Sequence, residues 1–149
     1  MTRINAGISP KNLTDAHCLA EWRELPRIPS TIVSGTAVIK DLPNEFTLNR
    51  GHVKFFYNKN FYLYKRYTEL TQELIAREFQ LNLELYERNI TNFEYIKDNF
   101  SELWNDFEDN EAKNTLIIRI SLRLSGMKAL RYYKKISTLK MLCICYIID

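Results

Sequence analysis

One short stretch near the N-terminus combines the side chains that acid–base catalysis and phosphate binding require. His17, Glu21 and Glu24 are spaced by four and three residues, so on a helix they fall within roughly 60° of one another. Arg23 and Arg27 flank this stripe. One of the carboxylates could act as an acid or base while the arginines bind a phosphate. From the residues alone, a solvated helix face with local Glu–Arg pairs is the more common explanation of such a pattern.

Two helices are indicated by the local sequence. Ser9 and Pro10 form a helix-start signal and Pro26 a stop, which predicts a first helix between them. Residues from about 58 to 79 predict a longer helix, because apolar residues recur there at helical spacing. These residues are Phe61, Tyr64, Tyr67, Leu70, Leu74 and Phe79.

Other segments give weaker signals. Residues 27–50 contain Pro, Gly and β-branched residues and predict a long irregular connection. The acidic, aromatic insertion at 92–112 predicts a surface excursion whose rings pack inward. Residues 115–125 fit both a strand and one face of a helix, with a slight preference for the strand from periodicity. An apolar tail follows at 141–149.

Composition favours one ordinary domain. The 149 residues are 46% hydrophobic and 26% charged, which is typical of a soluble globular protein. The low content of Gly and Pro, four of each, argues against a turn-rich all-β fold. We therefore expect a mostly α, compact single domain over residues 1–149, with about three main helices and long irregular connections. Three cysteines and two histidines suggest neither a disulfide framework nor a metal site.

The termini give no sign of membrane insertion or secretion. The longest apolar run, 141–148, is far shorter than the roughly 20 residues that span a bilayer, and no signal-peptide pattern opens the chain. We expect a cytoplasmic, non-secreted monomer.

Charge is distributed unevenly along the chain. Residues 1–66 hold ten Lys/Arg and five Asp/Glu, residues 67–112 hold three and twelve, and residues 113–149 hold eight and one. If the two basic ends fold together, they form a positive face with an acidic back, which suits a polyanion such as nucleic acid.

Two blocks of residues carry a family resemblance. The first begins MTRIN and continues through His17-x-x-x-Glu21-Trp-Arg-Glu-Leu-Pro-Arg27; the second is GHVKFFY at 51–57, followed by a Lys-Arg pair and a Glu-Leu pair. Together they resemble the phage pyrimidine-dimer DNA glycosylase/AP lyase family, the dimer-specific type of endonuclease V. The blocks occur in the family's order and cover about half of the chain.

The resemblance implies a nucleophile at residue 2. In that family the nucleophile is the α-amine of a threonine exposed when the initiator Met is removed, and Thr2 occupies this place. An α-amine is roughly a tenth neutral at pH 7, against about four in ten thousand for a lysine side chain. The amine attacks C1′, displaces the base and forms a Schiff base, after which β-elimination cleaves the strand. No metal or organic cofactor is implied.

The resemblance also assigns supporting residues. The catalytic glutamate maps onto Glu24, and Arg3, Arg23 and Arg27 match arginines suited to phosphate binding. His17 and Glu21 match as well and are expected near the DNA, although a structural salt bridge is an equal possibility for Glu21. A looser C-terminal match suggests DNA-binding residues and favours a helix over 115–125. These residues are Arg123, Lys128, Tyr132, Tyr133 and Lys134, with Lys135 beside them.

The sequence therefore predicts a glycosylase with AP lyase activity acting on double-stranded DNA with a damaged or modified base. The insertion at 92–112, the tail and a connection at 28–48 with Lys40 as its only basic residue depart from the family, so the base it removes is left open. A non-catalytic DNA-binding descendant and an AP lyase without glycosylase activity are the alternatives.

Overall fold

A computed structural model describes residues 4–47 and 51–109 of the chain. Its helices are α1 (Asp15–Glu24), α2 (Arg27–Val33), α3 (His52–Phe55), α4 (Asn60–Ala76) and α5 (Leu83–Asn99), with short 3-10 helices at Pro10–Asn12 and Ser101–Leu103. Within these ranges the only β pairing is an isolated bridge between Lys59 and Trp104. The prediction of a mostly α fold is confirmed.

Helix α4 lies at the centre of the fold. Its residues Leu63, Tyr67, Leu70 and Leu74 are completely buried, because they recur every three or four positions and so share one face. Helices α1 and α5 pack against α4, and α2 packs against α5. This is the helix predicted from residues 58–79. No helix in the described ranges is long and apolar enough to cross a bilayer.

The residues that precede α1 belong to the core. Ile4 and Ala6 are fully buried and Ile8 nearly so, and the side chain of Asn5 is also buried between them. We call residues 4–8 the N-terminal segment. Because its backbone is fixed inside the protein, any group just before it in sequence is attached to a rigid support.

The start of the first predicted helix is wrong in detail. Ser9 and Pro10 begin only the short 3-10 helix, and α1 starts six residues after Ser9, where Thr14 is the N-cap and its side chain accepts the His17 N–H. The stop signal is correct, since α1 ends two residues before Pro26.

The predicted irregular connection also needs correction, because residues Arg27–Val33 form α2. Pro29 is the third residue of this helix, where the missing N–H has no intrahelical partner in any case. The chain from 34 to 47 is irregular, as predicted.

The segment at 92–112 is only partly a surface excursion. Its first half is the end of α5, which Asn82 caps by accepting the Leu85 N–H. Phe93 is buried and Phe107 packs against the core, as predicted for the rings. The segments 115–125 and 141–149 lie outside the described residues.

Candidate active site

Glu21 is the hub of a buried polar network. Its side chain is 1% exposed, and it pairs with Arg66 of α4. Oε1 accepts from Arg66 Nε at 2.9 Å, and Oε2 accepts from Arg66 Nη2 at 3.1 Å. Oε2 also accepts from Asn5 Nδ2 at 2.7 Å, and Arg66 Nη1 donates to the Ile8 carbonyl at 2.6 Å. The network therefore joins α1, α4 and the N-terminal segment.

The Glu21 carboxylate favours the charged form of Arg66. Burial alone lowers the pKa of Arg66, but the Glu21 charge and its hydrogen bonds outweigh burial and raise the pKa above its ordinary value. Both carboxylate oxygens are engaged, and the group faces the core rather than solvent. Of the two roles left open for Glu21, these contacts support the structural salt bridge.

His52 holds the other end of the N-terminal segment. Its Nε2 accepts the backbone N–H of Ile4 at 2.9 Å, and its Nδ1 lies 2.6 Å from the Thr47 carbonyl oxygen. An N–H can only donate and a carbonyl can only accept, so the ring is neutral and carries its proton on Nδ1. Phe46 and Phe56 pack edge-on against the imidazole, each with a 5.4 Å centroid separation.

A third attachment comes from the far end of the described chain. Asp109 Oδ2 accepts the Gly7 N–H at 2.9 Å and the Tyr62 hydroxyl at 3.1 Å. The N-terminal segment is thus held by α3, by the α1–α4 ion pair and by residue 109.

Arg23, Glu24 and Arg27 lie together at the corner between α1 and α2, which we call the α1–α2 corner (residues 23–27). Both arginines are exposed and Glu24 is half-buried. Within the described residues their side chains form no hydrogen bond or ion pair. Glu24 ends α1 and Arg27 begins α2, the reverse of what helix dipoles favour. Helix stability therefore does not explain this arrangement.

The predicted stripe of three polar residues is not one surface. His17 is in the first turn of α1, where its Nδ1 lies 2.8 Å from Thr14 Oγ1. It is two turns from Glu24, or about 10 Å along the helix axis. Glu21 turns into the core between them.

Two other groups could be considered as nucleophiles. Burial raises the pKa of the Cys18 thiol to about 11, so it is protonated at neutral pH. Burial lowers the pKa of Lys59, but its Nζ donates to the Phe55 carbonyl and to Asn58 Oδ1, both at 2.9 Å, and sits over the Phe55 ring. Neither lies in the α1–α2 corner.

A cavity of about 600 Å³ lies between the N-terminal segment and α4. Glu69, Glu73 and Asp109 line it together with Lys11 and Arg66. Because carboxylates outnumber cations, this cavity is a poor phosphate site, and it contains neither Glu24 nor the corner arginines. Across residues 4–47 and 51–109, no cluster of His, Cys, Asp and Glu is arranged to hold a metal.

Several predicted site residues cannot be placed, because they lie outside the described residues. These are Thr2, Arg3, Arg123, Lys128, Tyr132, Tyr133, Lys134 and Lys135. Their roles stay predictions.

Residues 1–87 match the family model described as pyrimidine dimer DNA glycosylase. The chain belongs to this family. The suspected resemblance is therefore confirmed, and DNA glycosylase activity is the family's function. The match contains the N-terminal segment, α1 to α4 and the start of α5, and so the hydrogen bonds described above for the Glu21 network and for His52. It ends before the acidic insertion at 92–112.

Sequence reasoning missed His52, Arg66, Asn5 and Asp109 as supports of the site. His52 and Arg66 stand inside the second block that carries the resemblance, next to the aromatic run and in the Lys-Arg pair. Their positions there were a usable signal. Asn5 ends the MTRIN run of the first block, so its position was a usable signal as well. Asp109 gave none, because its partner Gly7 is 102 residues away.

Proposed function

We propose that this chain is a DNA glycosylase with AP lyase activity whose nucleophile is the α-amine of Thr2 after removal of Met1. The observation that carries the proposal is the burial of the N-terminal segment. A chain end is ordinarily poorly ordered unless it is tied down. Here the backbone is fixed from Ile4 onward, two residues from the amine.

The reaction follows from the chemistry of an amine at C1′. The nitrogen attacks C1′, the glycosidic bond breaks and the base leaves with a proton. The sugar ring opens as the C1′–N bond becomes an imine. Loss of a C2′ proton then breaks the C3′–O bond to the phosphate, and water releases the imine from the cleaved strand.

Glu24 is proposed as the carboxylate that acts beside C1′. A negative charge stabilises the cationic imine, and a carboxylate can accept and return the protons that move in these steps. Its lack of a described partner supports this role, since Glu21 one turn away is fully engaged. Arg23 and Arg27 are proposed to bind phosphates on either side of the target nucleotide, which would be extruded from the duplex.

The same corner disfavours one of the two alternatives and does not separate the other. A non-catalytic DNA-binding protein has no use for an unpaired carboxylate between two arginines, because it repels phosphates. An AP lyase without glycosylase activity would use the same residues, and substrate comparison is needed to separate the two.

The decisive experiment is trapping with borohydride, which reduces an imine to a stable covalent adduct. The protein is incubated with duplexes that carry a cyclobutane dimer, another modified base or an abasic site. Adduct with a base-containing duplex supports the glycosylase, and adduct with the abasic duplex alone supports the lyase alternative. Absence of adduct on every duplex, with binding retained, supports the binding protein and overturns the proposal.

Matched variants identify the amine. Insertion of one residue before Thr2 should abolish the adduct, whereas Thr2→Ser should retain it because its α-amine stays free. Lys59→Arg removes the described lysine with a lowered pKa and should have no effect. Intact mass should show that the active protein begins at Thr2. If the blocked protein forms adduct at the normal rate, Thr2 is not the nucleophile.

A further inference from the structure

We propose that His52 is a positioning residue for the N-terminal amine. This inference rests on the proposed function, because it concerns the nucleophile of that reaction. His52 does not touch the substrate in this proposal; it acts through the backbone of Ile4.

The geometry makes His52 a rigid support. It is 5% exposed, and each ring nitrogen has a hydrogen-bond partner in the backbone, with Ile4 on one side and Thr47 on the other. The contacts of Phe46 and Phe56 restrict rotation of the imidazole. Gly51 lets the chain enter α3 at this point, since its φ is 95° and an added Cβ would lie 3.2 Å from Pro43 Cγ.

The bond to Ile4 is the described hydrogen bond closest in sequence to the amine. Two residues of chain span at most about 7 Å, so fixing the Ile4 nitrogen restricts the volume in which the amine of residue 2 can lie. The Glu21–Arg66 network acts farther along, at Asn5 and Ile8. Effective molarity depends steeply on such placement, and a misplacement of about 1 Å can cost 10²-fold in rate.

The test compares variants at position 52 in the processed full chain. His52→Leu removes the acceptor for the Ile4 N–H. His52→Gln offers an amide oxygen near the Nε2 position, and His52→Asn is too short to reach Ile4. We expect adduct formation with an abasic duplex under single-turnover conditions to slow by about 10- to 100-fold in the Leu and Asn variants, with partial recovery in Gln.

Two further readouts separate positioning from folding. Affinity for an uncleavable abasic-analogue duplex should stay within about twofold of the parent protein, and protection of the Ile4 amide from hydrogen exchange should be lost in Leu and Asn but retained in Gln. Thr71→Val is the matched control, because it removes the buried bond from Trp22 Nε1 at 2.9 Å without touching the N-terminal segment. It should lower stability and leave the trapping rate unchanged.

The outcomes are distinguishable. If the parent protein traps DNA and a folded Leu or Asn variant traps it equally fast, the positioning role is wrong and the proposed function stands. A loss of rate in Thr71→Val that matches the His52 variants also overturns the positioning role. If the Leu variant does not fold, the Asn and Gln pair decides the matter. If the parent protein forms no adduct on any duplex, the proposed function fails and the positioning role with it.

Discussion

Two glutamates of α1, Glu21 on its inner face and Glu24 at its C-terminal end, lie in opposite environments. Glu21 is buried and accepts three hydrogen bonds from Arg66 and Asn5. Glu24, one turn later, is half-exposed, has no described partner and sits at the helix end that disfavours negative charge. A buried, fully paired carboxylate maintains the fold, whereas an unpaired one that costs helix stability is the candidate for chemistry. Sequence spacing alone cannot make this distinction.

Removing the charge of Glu21 should have the largest effect on stability. Glu21→Gln leaves the Arg66 guanidinium buried without its counter-charge, and breaking such a pair typically costs about 3–5 kcal/mol. Chemical denaturation monitored by circular dichroism measures the change in free energy of unfolding. Glu94→Gln, on the exposed side of α5, is the control and should change it by less than about 0.5 kcal/mol. A small effect of Glu21→Gln would mean that the network does not hold the segment.

Glu24→Gln should have the opposite effect to Glu21→Gln, with stability retained and the catalytic rate reduced. We expect stability to stay within about 0.5 kcal/mol of the parent protein, while single-turnover cleavage falls by at least about 10²-fold, the usual scale for a positioned acid–base group. Rates with an abasic duplex and the denaturation midpoint are measured on the same preparation. Normal turnover would remove Glu24 from the mechanism, and a large loss of stability would erase the contrast with Glu21.

Two of the three glycines with positive φ in the described residues, Gly51 and Gly35, allow a graded test of how the chain before α3 positions His52. Gly51→Ala meets Pro43 and Thr47 at 3.2 and 3.6 Å, whereas Gly35→Ala, at φ 71°, meets nothing within 4 Å. Each substitution should lower the free energy of unfolding by about 1–2 kcal/mol because of the left-handed backbone. Gly51→Ala should lower it by more than the control, Gly35→Ala. Gly51→Ala should also slow borohydride trapping. Equal losses in the two variants would show that the close approach at Gly51 is tolerated.

The arginines of the α1–α2 corner should give the smallest effect. Each phosphate contact contributes about 0.9 to the slope of log affinity against log salt concentration. Arg23→Ala and Arg27→Ala should each reduce the magnitude of that slope by about this amount in duplex binding. Arg88→Ala, exposed on the acidic helix α5, should not change it. An unchanged slope in either variant would show that the substituted arginine does not contact a phosphate.

Much of the helical fold was predictable because it depends on local pattern. The apolar repeat of α4 predicted that helix to within three residues at either end. Helix α2 was missed because Pro29 looks like a breaker, although at a third helical position it costs nothing. The C-terminal half of helix α5 was missed because residues 92–112 are acidic and aromatic, which indicated a surface excursion. The inward-facing Asn89 also interrupts the apolar face of this helix, and its side chain donates to the Tyr67 hydroxyl.

The candidate site residues could be proposed from the sequence, but the residues that support them could not all be. Glu24, Arg23 and Arg27 are neighbours in the chain, so a motif includes all three. The hydrogen bonds from the N-terminal segment to His52 and Asp109 join residues that are 48 and 102 positions apart, respectively. Spacing rules describe neighbours within one helix or strand, so they do not predict such contacts. The observation that favours the structural role of Glu21, its pairing with Arg66, is likewise a tertiary contact 45 residues apart in sequence.

The bond from Gly7 to Asp109 sets an order of events during synthesis. Its partners are 102 residues apart, and at about 5–20 residues per second the ribosome needs roughly 5–20 s to add the second partner after the first. Until then the N-terminal segment lacks one of its three attachments. For the proposed Thr2 nucleophile, this interval gives time for Met1 to be removed before the residues that follow acquire all three attachments.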